Sequence, residues 1–422
     1  MNNVLFIVYY FPPMGGSGVQ RPLKFIKYLR ECGWNPIVVC PHPGAYHTFD
    51  ESLHVELQEL DVEVHRVEGN TPFHKTGQAK KNVNLPGILS SMLRWFSSLF
   101  FLPDNKKNWI EPGFKKAKEL AASKNIDLIF GTAPPYSNLM LARKLRDETG
   151  IPVVMDLRDD WVGSHLITYP TSWHKKQMIR IEAETLEHAD QLLTVNEEIA
   201  DSINRRIKKN VKVLGHGFDP EDFTERENLT LASPKKLSFL YSGTFYPESG
   251  PDNFLKAVSE LVLEDPKLKE FIELQFQGGL DSKNWKLINK LGLTDMVVDY
   301  GYVKHDIAVR NLMKADILWL VIGHQKKSKI ISLGKTSEYF ATRKPILGLV
   351  PEGSAKRMLK KYGNSFIAEP YNIADIKGSL IEIMSHYEKE KSWPKPDEAY
   401  IESFNRKKLT QKLAVMFDEI IA

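Results

Sequence analysis

A glycine-rich segment near the start of the chain has the residue types that bind anions through the main chain. Gly15 and Gly16 follow the apolar run of residues 4–8 and precede a helical pattern over residues 22–29. Glycine lets main-chain N–H groups approach a ligand closely, and the N-terminus of a helix attracts negative charge. The segment therefore predicts a loop beside a phosphate, with a tight turn that binds no ligand as the alternative.

The same loop does not match the glycine fingerprint of dinucleotide-binding proteins. That fingerprint can be placed on Gly16 and Gly18, but its third glycine would then be Arg21. An acidic residue should also end the second strand, where this chain has Val39 and Cys40. A dehydrogenase is therefore the least favoured class of enzyme.

A second segment combines a cation with a carboxylate at helical spacing. Lys335 and Glu338 are three positions apart with Thr336 between them, and residues 326–329 contain a run of lysines. On a helix the two charged side chains share one face near the N-terminus. One interpretation is a surface ion pair worth roughly half a kcal/mol. The other is a diphosphate neutralised by the ammonium group, with a ribose diol hydrogen-bonded to the carboxylate.

Two aspartates follow a predicted strand over residues 153–155. Asp156 and Asp159 lie beyond its carboxyl end, where side chains of parallel α/β sheets usually form a site. The interpretation as catalytic residues competes with a structural one, in which an Asp–Arg pair caps a helix and packs around Trp161. Both interpretations remain open at this point.

The histidines and cysteines show no spacing typical of a metal site. His216, His305 and His324 are isolated in the sequence, and there is no Asp-x-Asp motif. We therefore expect no metal ligands and no obligatory metal ion. The two cysteines, Cys32 and Cys40, are too few for a disulfide framework, which favours a reducing cytoplasm.

Alternating strand-like and helical segments place these motifs in two α/β domains. Apolar runs that predict strands occur at residues 4–8, 36–40, 128–130, 153–155, 191–195, 237–241, 274–276, 297–298, 317–321 and 365–367. Repeated βα units predict a parallel sheet in each half, and 422 residues exceed the usual size of a single core. The expected fold is two facing Rossmann-like domains with a cleft between them.

The predicted domain boundaries follow from these runs. The first domain covers residues 1–210 and the second covers residues 211–401. The last segment, about 402–422, has apolar residues at helical spacing, so we expect an amphipathic helix that packs back on the first domain.

Composition and charge exclude several partners and locations. The chain has 57 Lys and Arg against 53 Asp and Glu, and its net charge of +4 is too small to predict nucleic-acid binding. No signal-peptide pattern precedes the first apolar run. The most hydrophobic stretch, residues 85–102, is too short and too polar to span a bilayer, which takes about 20 apolar residues. We therefore expect a soluble cytoplasmic protein.

An apolar stripe over residues 88–100 has helical spacing and basic flanks. It runs from Ile88 through Trp95 and Phe96 to Phe100, with lysines on both sides. One interpretation is a helix packed on the first domain. The other is a surface that touches lipid, which would make the protein peripheral on the inner face of the membrane.

Several segments, taken in order, resemble the retaining GT-B glycosyltransferases of family 4. They are YYFPPMGGSGVQR, VVMDLRDDW, GHGFD, YSGT, QGG and ISLGKTSEYFATRKPILGL, and they extend from the first strand to about Glu369. The resemblance implies that Glu338 binds the nucleotide ribose and that Lys335 binds the diphosphate. It implies further donor contacts, at Gly15, Gly16, Gly243, Thr244, Tyr302, Val303 and Thr336. It also implies that Asp156 or Asp159 faces the sugar and the acceptor.

Two positions depart from the pattern of this family. A second glutamate often stands eight residues before the one that binds ribose, and this chain has Ile330 there. Many members also have Arg and Lys just after the strand that opens the second domain, where residues 244–250 read TFYPESG. These departures leave a non-catalytic GT-B-like scaffold as an alternative.

The function implied by the resemblance is retaining transfer of a hexose-like sugar. The donor is a nucleoside diphosphate sugar, and the acceptor is a hydroxyl group of a saccharide or of a lipid-linked molecule, in surface polysaccharide or glycolipid synthesis. No cofactor beyond the substrates is expected. A sugar-nucleotide epimerase is a further alternative, because such enzymes share the GT-B architecture.

Overall fold

The computed structural model describes residues 1–43, 49–69, 102–164, 167, 169–224, 236–246, 248–324, 334–389 and 392–422. The chain divides into two compact units. The first consists of Met1–His216 with Arg406–Ala422, and the second consists of Gly217–Asn405. Each unit contains one parallel β-sheet with helices packed against it. The predicted fold class, two Rossmann-like α/β domains, is confirmed.

The first unit contains a seven-stranded sheet in the order β3-β2-β1-β4-β5-β6-β7. All its neighbouring strands are parallel. The strands are β1 Asn2–Ile7, β2 Trp34–Pro41, β3 Glu63–Val67, β4 Leu128–Ala133, β5 Val153–Leu157, β6 Gln191–Thr194 and β7 Val211–Val213. The helices are α1 Ser17–Leu29, α2 Glu51–Glu59, α3 Ile110–Ser123, α4 Ser137–Thr149, α5 Ser172–Leu186 and α6 Glu197–Ile207. Strand order reverses between β1 and β4, where a crevice forms at the carboxyl edge of such sheets.

The second unit contains a six-stranded sheet in the order β10-β9-β8-β11-β12-β13, also parallel. The strands are β8 Leu237–Ser242, β9 Ile272–Gln277, β10 Val297–Asp299, β11 Ile317–Val321, β12 Ile346–Leu349 and β13 Ser365–Ala368. The helices are α7 Asp252–Glu264, α8 Leu268–Phe271, α9 Ser282–Lys290, α10 His305–Lys314, α11 Lys335–Thr342, α12 Ser354–Tyr362, α13 Ile373–Glu388 and α14 Glu398–Glu402. Here the order reverses between β8 and β11.

The apolar runs become strands because both faces of each sheet are covered by helices. In β1, Leu5 and Ile7 belong to one hydrophobic cluster, while Val4 and Phe6 belong to the cluster on the opposite face. All four side chains are fully buried. Alternate residues of a strand point to opposite faces, so an uninterrupted apolar run satisfies both layers.

The C-terminal helix α15, Arg406–Ile421, belongs to the first unit. The ring of Phe417 packs 5.2 Å from that of Trp34, and the Trp34 indole donates a hydrogen bond to Asp418 (3.0 Å). The helix begins at Arg406 rather than at about residue 402, because α14 ends at Glu402 within the second unit. The first unit extends to His216 rather than residue 210, because β7 pairs with β6.

No helix within the described ranges has the length and apolar character needed to cross a membrane. The apolar stripe of residues 88–100 lies outside the described residues, so its two interpretations stay predictions. Ile330 and the lysine run of residues 326–329 lie outside them as well.

Candidate active site

Lys335 lies at the strand-order reversal of the second sheet. It is the first residue of α11, and its Nζ donates a hydrogen bond of 2.8 Å to the main-chain oxygen of Ser242. Ser242 ends β8, and the same ammonium group lies 3.8 Å from the centre of the Tyr241 ring. The contact therefore joins β8 to the helix between β11 and β12, at the carboxyl edge where ligands bind to parallel α/β sheets.

The surroundings of Lys335 change its protonation. Burial of the ammonium group lowers the pKa of Lys335 from 10.5 to about 7, and the carboxylate of Glu338 opposes this shift. Both protonation states are therefore populated near neutral pH. An anion placed beside Nζ would favour the charged form and raise the pKa again.

Two glycine turns form the main-chain wall beside Lys335. Gly243 and Gly278 follow β8 and β9 with φ angles of 119° and 115°, a region that favours glycine. A Cβ atom on Gly278 would lie 2.5 Å from the carbonyl oxygen of Gly243, and one on Gly243 would lie 3.2 Å from Lys335 Nζ. The absence of side chains at both positions therefore lets the two turns and the ammonium group approach one another.

Gln277 fixes these turns and has no counterpart among the predicted site residues. Its buried side chain donates to Ser242 Oγ (2.8 Å) and accepts from Asn311 Nδ2 (3.1 Å). Its main-chain oxygen accepts a hydrogen bond from the N–H of Gly243 (2.7 Å). Gln277 thereby holds the Ser242 carbonyl group that binds Lys335. The QGG segment contained it, but its local spacing does not reveal these distant partners.

The first turn of α11 contains a buried hydroxyl group. Thr336 is only 1% exposed, and its Oγ1 has no hydrogen-bond partner in the described structure. Buried polar groups are normally hydrogen-bonded, so this oxygen is available to a ligand that reaches the helix N-terminus. Glu338 lies one turn further along the helix and is half-buried.

The remaining predicted donor contacts lie along the same edge of the second sheet. Thr244 directly follows Gly243 and is exposed. Tyr302 and Val303 follow the edge strand β10, and Tyr302 is 57% exposed. A hydrogen bond of 2.7 Å from the N–H of Gly278 to the oxygen of Gly301 ties the turn after β9 to the turn after β10. The structure thus places Lys335, Gly243 and Thr336 near the strand-order reversal, with Tyr302 and Val303 at the edge strand.

The glycine loop of the first unit leads into α1. Gly15 is buried, whereas Gly16 is exposed, has a φ of 102° and occupies the N-cap position without a side-chain cap. The buried guanidinium group of Arg158 donates to the main-chain oxygens of Gly18, Ala133 and Pro134. Arg158 thus joins the first turn of α1 to the loop after β4 and adds positive charge beside the glycine segment.

Asp156 is a structural residue of the first unit. It is fully buried, and Arg21 binds it through two hydrogen bonds, Nε to Oδ2 (3.0 Å) and Nη2 to Oδ1 (2.8 Å). Thr132 donates a third, of 2.8 Å. A carboxylate so enclosed cannot face a sugar, so the structure does not favour the catalytic interpretation of Asp156. An Asp–Arg pair does form, but its arginine comes from α1 rather than from the neighbouring Arg158.

Asp159 is the more accessible of the two predicted aspartates. It is half-buried, whereas the next residue, Asp160, is buried and pairs with Arg206 and Ser202. Trp161 is fully buried and stacks on Tyr136 with ring centres 4.7 Å apart. Of this segment, Asp159 is therefore the carboxylate that a substrate could reach.

The three histidines singled out in the sequence lie in different surroundings. Burial lowers the pKa of His216 well below its usual range, and the positive charges of Arg21, Arg406 and Arg158 lower it further. His305 lies 3.1 Å from Asp222, and His324 pairs with Glu369. Within the described ranges, no three His, Cys, Asp or Glu side chains are grouped as metal ligands.

Two domain families match this chain in succession. Residues 16–214 match the glycosyl transferase 4-like domain, and residues 222–396 match the glycosyl transferases group 1 domain. The chain belongs to the group 1 glycosyltransferases. The predicted family is thereby confirmed, whereas retention stays a prediction. Gly16 is the first residue matched to the first of these domains, and the α11 motif lies in the second.

One curated relative matches part of the chain. It is the D-inositol 3-phosphate glycosyltransferase of Streptomyces bingchenggensis, with 30% identity over 132 residues. The match covers 28% of this chain and 29% of the relative. The chain therefore aligns with less than a third of that protein's length.

Solved structures share the fold over nearly the whole chain. The sucrose-phosphate synthase of Thermosynechococcus elongatus has a TM-score of 0.65 at 13% identity, with 99% of both chains covered. Anabaena HepE in complex with UDP-glucose has a TM-score of 0.64 at 14% identity, again with 99% of both chains covered. At these identities the likeness establishes the GT-B fold of this group 1 glycosyltransferase.

Proposed function

We propose that this protein transfers a hexose-like sugar from a nucleoside diphosphate sugar to an acceptor hydroxyl group, with retention at the anomeric carbon. The observation that carries the proposal is the position of Lys335. Its ammonium group donates a hydrogen bond to the Ser242 carbonyl oxygen beside the Gly243 turn, at the start of α11. The chain belongs to the group 1 glycosyltransferases. A cation, a helix N-terminus and glycine turns at one point are suited to a diphosphate.

In the proposed complex, several residues share the donor. Lys335 and the Thr336 hydroxyl group bind the diphosphate, and Glu338 accepts hydrogen bonds from the ribose diol. Gly243 and Thr244 line the phosphates, while Tyr302 and Val303 contact the base. The family resemblance further assigns Gly15 and Gly16 to the donor phosphates, and Asp159 to the sugar or the acceptor. HepE was solved with UDP-glucose, so UDP-glucose is the first donor to test.

The proposed step exchanges one bond at the anomeric carbon for another on the same face. The bond from C1 to the β-phosphate oxygen breaks, and a bond from C1 to the acceptor oxygen forms. The acceptor proton passes to the departing phosphate oxygen, so a separate base is not required. Negative charge grows on the diphosphate as it leaves, and Lys335 with the α11 N-terminus stabilises it.

The acceptor is proposed to be a saccharide or a lipid-linked molecule in surface polysaccharide or glycolipid synthesis. The reaction would then take place in the cytoplasm, with the protein free or peripheral on the membrane. The stripe of residues 88–100, with its aromatic side chains and flanking lysines, supports contact with lipid.

Proton NMR of UDP-glucose incubated with the protein tests the reaction, with water replacing the unidentified acceptor. A thermal-shift screen of other sugar nucleotides precedes it, because a ligand at a hundred times its Kd stabilises by about 2.7 kcal/mol. Glucose is α-linked in this donor, so we expect α-glucose to appear before it equilibrates. Initial β-glucose would contradict retention. A new epimeric nucleotide sugar would indicate an epimerase. A donor that binds but stays unchanged, both in water and with a panel of saccharide acceptors, would indicate a scaffold.

Replacing Glu338 with alanine is expected to weaken nucleotide-sugar binding by about 10- to 150-fold, because a charged hydrogen-bond acceptor contributes roughly 1.5–3 kcal/mol. Calorimetric titration with the best donor measures this change. Glu382→Ala, on an exposed position of α13 in the same unit, is the matched control and should bind normally. Unchanged affinity in Glu338→Ala would remove this residue from the ribose site.

Sugar transfer is expected to persist in excess EDTA, because the charge of the leaving diphosphate is assigned to Lys335 and main-chain groups rather than to a divalent ion. The measurement is the initial rate of UDP release before and after dialysis against the chelator. Loss of the rate, followed by recovery with Mg²⁺ or Mn²⁺, would show that a metal takes part.

A further inference from the structure

The helix α5 carries an exposed tryptophan on the surface of the first unit. Trp173 is 59% exposed, whereas Trp34, Trp109 and Trp161 of the same unit are fully buried. An indole in water leaves a large apolar area exposed, although its N–H group tolerates a polar environment. Tryptophan is therefore suited to an interface between an apolar phase and water.

The remaining exposed side chains of this helical segment are mainly cationic. Lys175, Lys176 and Arg180 are exposed together with the apolar Ile179. Residues 172–181 include no acidic residue. Arg180 pairs with Glu184 one turn later, but no salt bridge within the described part of the chain involves Lys175 or Lys176. The face therefore combines aromatic, aliphatic and uncompensated positive groups.

The opposite side of α5 holds the helix firmly on the domain. His174, Met178 and Glu182 are buried, and Met178 Sδ accepts a hydrogen bond of 3.2 Å from the Trp161 indole. Glu182 pairs with Arg206 of α6 at 2.7 Å. Because the buried residues make these contacts and the exposed residues do not, changes at Trp173, Lys175 and Lys176 should not disturb the fold.

We propose that this face of α5, formed by Trp173, Lys175, Lys176, Ile179 and Arg180, docks the protein on an anionic lipid surface. The positive charge of this face is complementary to anionic lipid, which decides the occupant. Lysine side chains are stabilised near anionic headgroups, and tryptophan inserts at the boundary between headgroups and acyl chains. The proposal concerns residues outside the stripe of residues 88–100 and does not depend on the sugar-transfer activity.

Flotation of the full-length protein with vesicles tests the docking. We expect flotation with phosphatidylcholine vesicles that contain phosphatidylglycerol, but not with phosphatidylcholine alone, and release at high salt. Each lysine near an anionic surface contributes about a fivefold change in partitioning, so Lys175→Ser/Lys176→Ser should weaken it about 25-fold. In the parent, brominated lipid should quench the fluorescence of Trp173. Trp173→Ser should weaken binding to the same vesicles and remove this quenching.

The matched control is Lys360→Ser/Lys361→Ser, which removes an equal charge from two exposed lysines of α12 in the second unit. This variant should float like the parent. A parent that stays with the lipid-free fraction would overturn the proposal. So would equal losses in both double variants, or flotation that neither α5 variant changes. If sedimentation equilibrium instead shows a dimer that Trp173→Ser dissociates, the face binds a second copy and not lipid.

Discussion

Asp156→Ala is expected to lower the free energy of unfolding of the first unit by about 3–5 kcal/mol, the range typical of a broken buried ion pair. The substitution leaves the Arg21 guanidinium group buried without its carboxylate, and Thr132 loses its acceptor. Arg21 also donates to the main-chain oxygens of Leu214 and Gly215, so the segment after β7 should loosen with it. Urea denaturation followed by circular dichroism measures the change.

The control for this prediction is Asp159→Ala, three residues away and half-buried. Its effect on stability should be much smaller, while its effect on turnover reports whether Asp159 faces the sugar. Replacing Arg21 and Asp156 together with Met and Leu should recover much of the lost stability, because no unpaired charge remains. An Asp156→Ala variant as stable as the parent but inactive would instead make Asp156 a residue that contacts substrate.

The affinity for a nucleotide sugar is expected to fall about tenfold per pH unit above pH 7, because binding then requires proton uptake by Lys335. In the unliganded site the pKa of Lys335 is about 7, so the ammonium form predominates below that pH. Binding of the nucleotide sugar is then accompanied by little proton uptake. Above it the lysine is neutral, and the bound diphosphate raises its pKa. The decline should stop where the pH reaches the pKa of the complex.

Titration calorimetry at pH 6 to 9, in buffers of different ionisation enthalpy, measures both the affinity and the protons taken up. Lys335→Met keeps the length of the side chain without its charge, so its affinity should be low and independent of pH. Its turnover should fall about 10- to 150-fold, the loss of one charged contact worth roughly 1.5–3 kcal/mol. Lys360→Met, an exposed position of the same unit, should behave like the parent. A flat pH profile in the parent, together with unchanged affinity and turnover in Lys335→Met, would exclude Lys335 from the diphosphate.

Most of the strands and the two sheets could be predicted because they depend on local composition. The runs at residues 4–8 and 317–321 are apolar throughout, as strands covered on both faces must be. The boundary between the two units, after His216, was harder to predict from the sequence. The short strand Val211–Val213 is assigned to the first sheet only by its pairing with β6. The polar helix before it gives no local sign of that pairing.

The geometry of the candidate site could be predicted in part. Lys335 and Gly243 stand out by residue type and by their places after strands, and the structure brings them together. Gln277 was missed because its role depends on Ser242 and Asn311, each more than thirty positions away. For Asp156 the sequence left the catalytic and the structural interpretation open, because a carboxylate after a strand has the same local pattern whether it is exposed or buried.

The residue order by itself determined the α/β class, the glycine loop, the motif at α11 and the family, since all of these depend on short-range spacing. The tertiary structure decided what the charged groups do. Arg21 meets Asp156 across 135 positions, and Lys335 meets Ser242 across 93. Whether a charge is solvated, paired or forced toward neutrality depends on the atoms that surround it, and these come from distant parts of the chain.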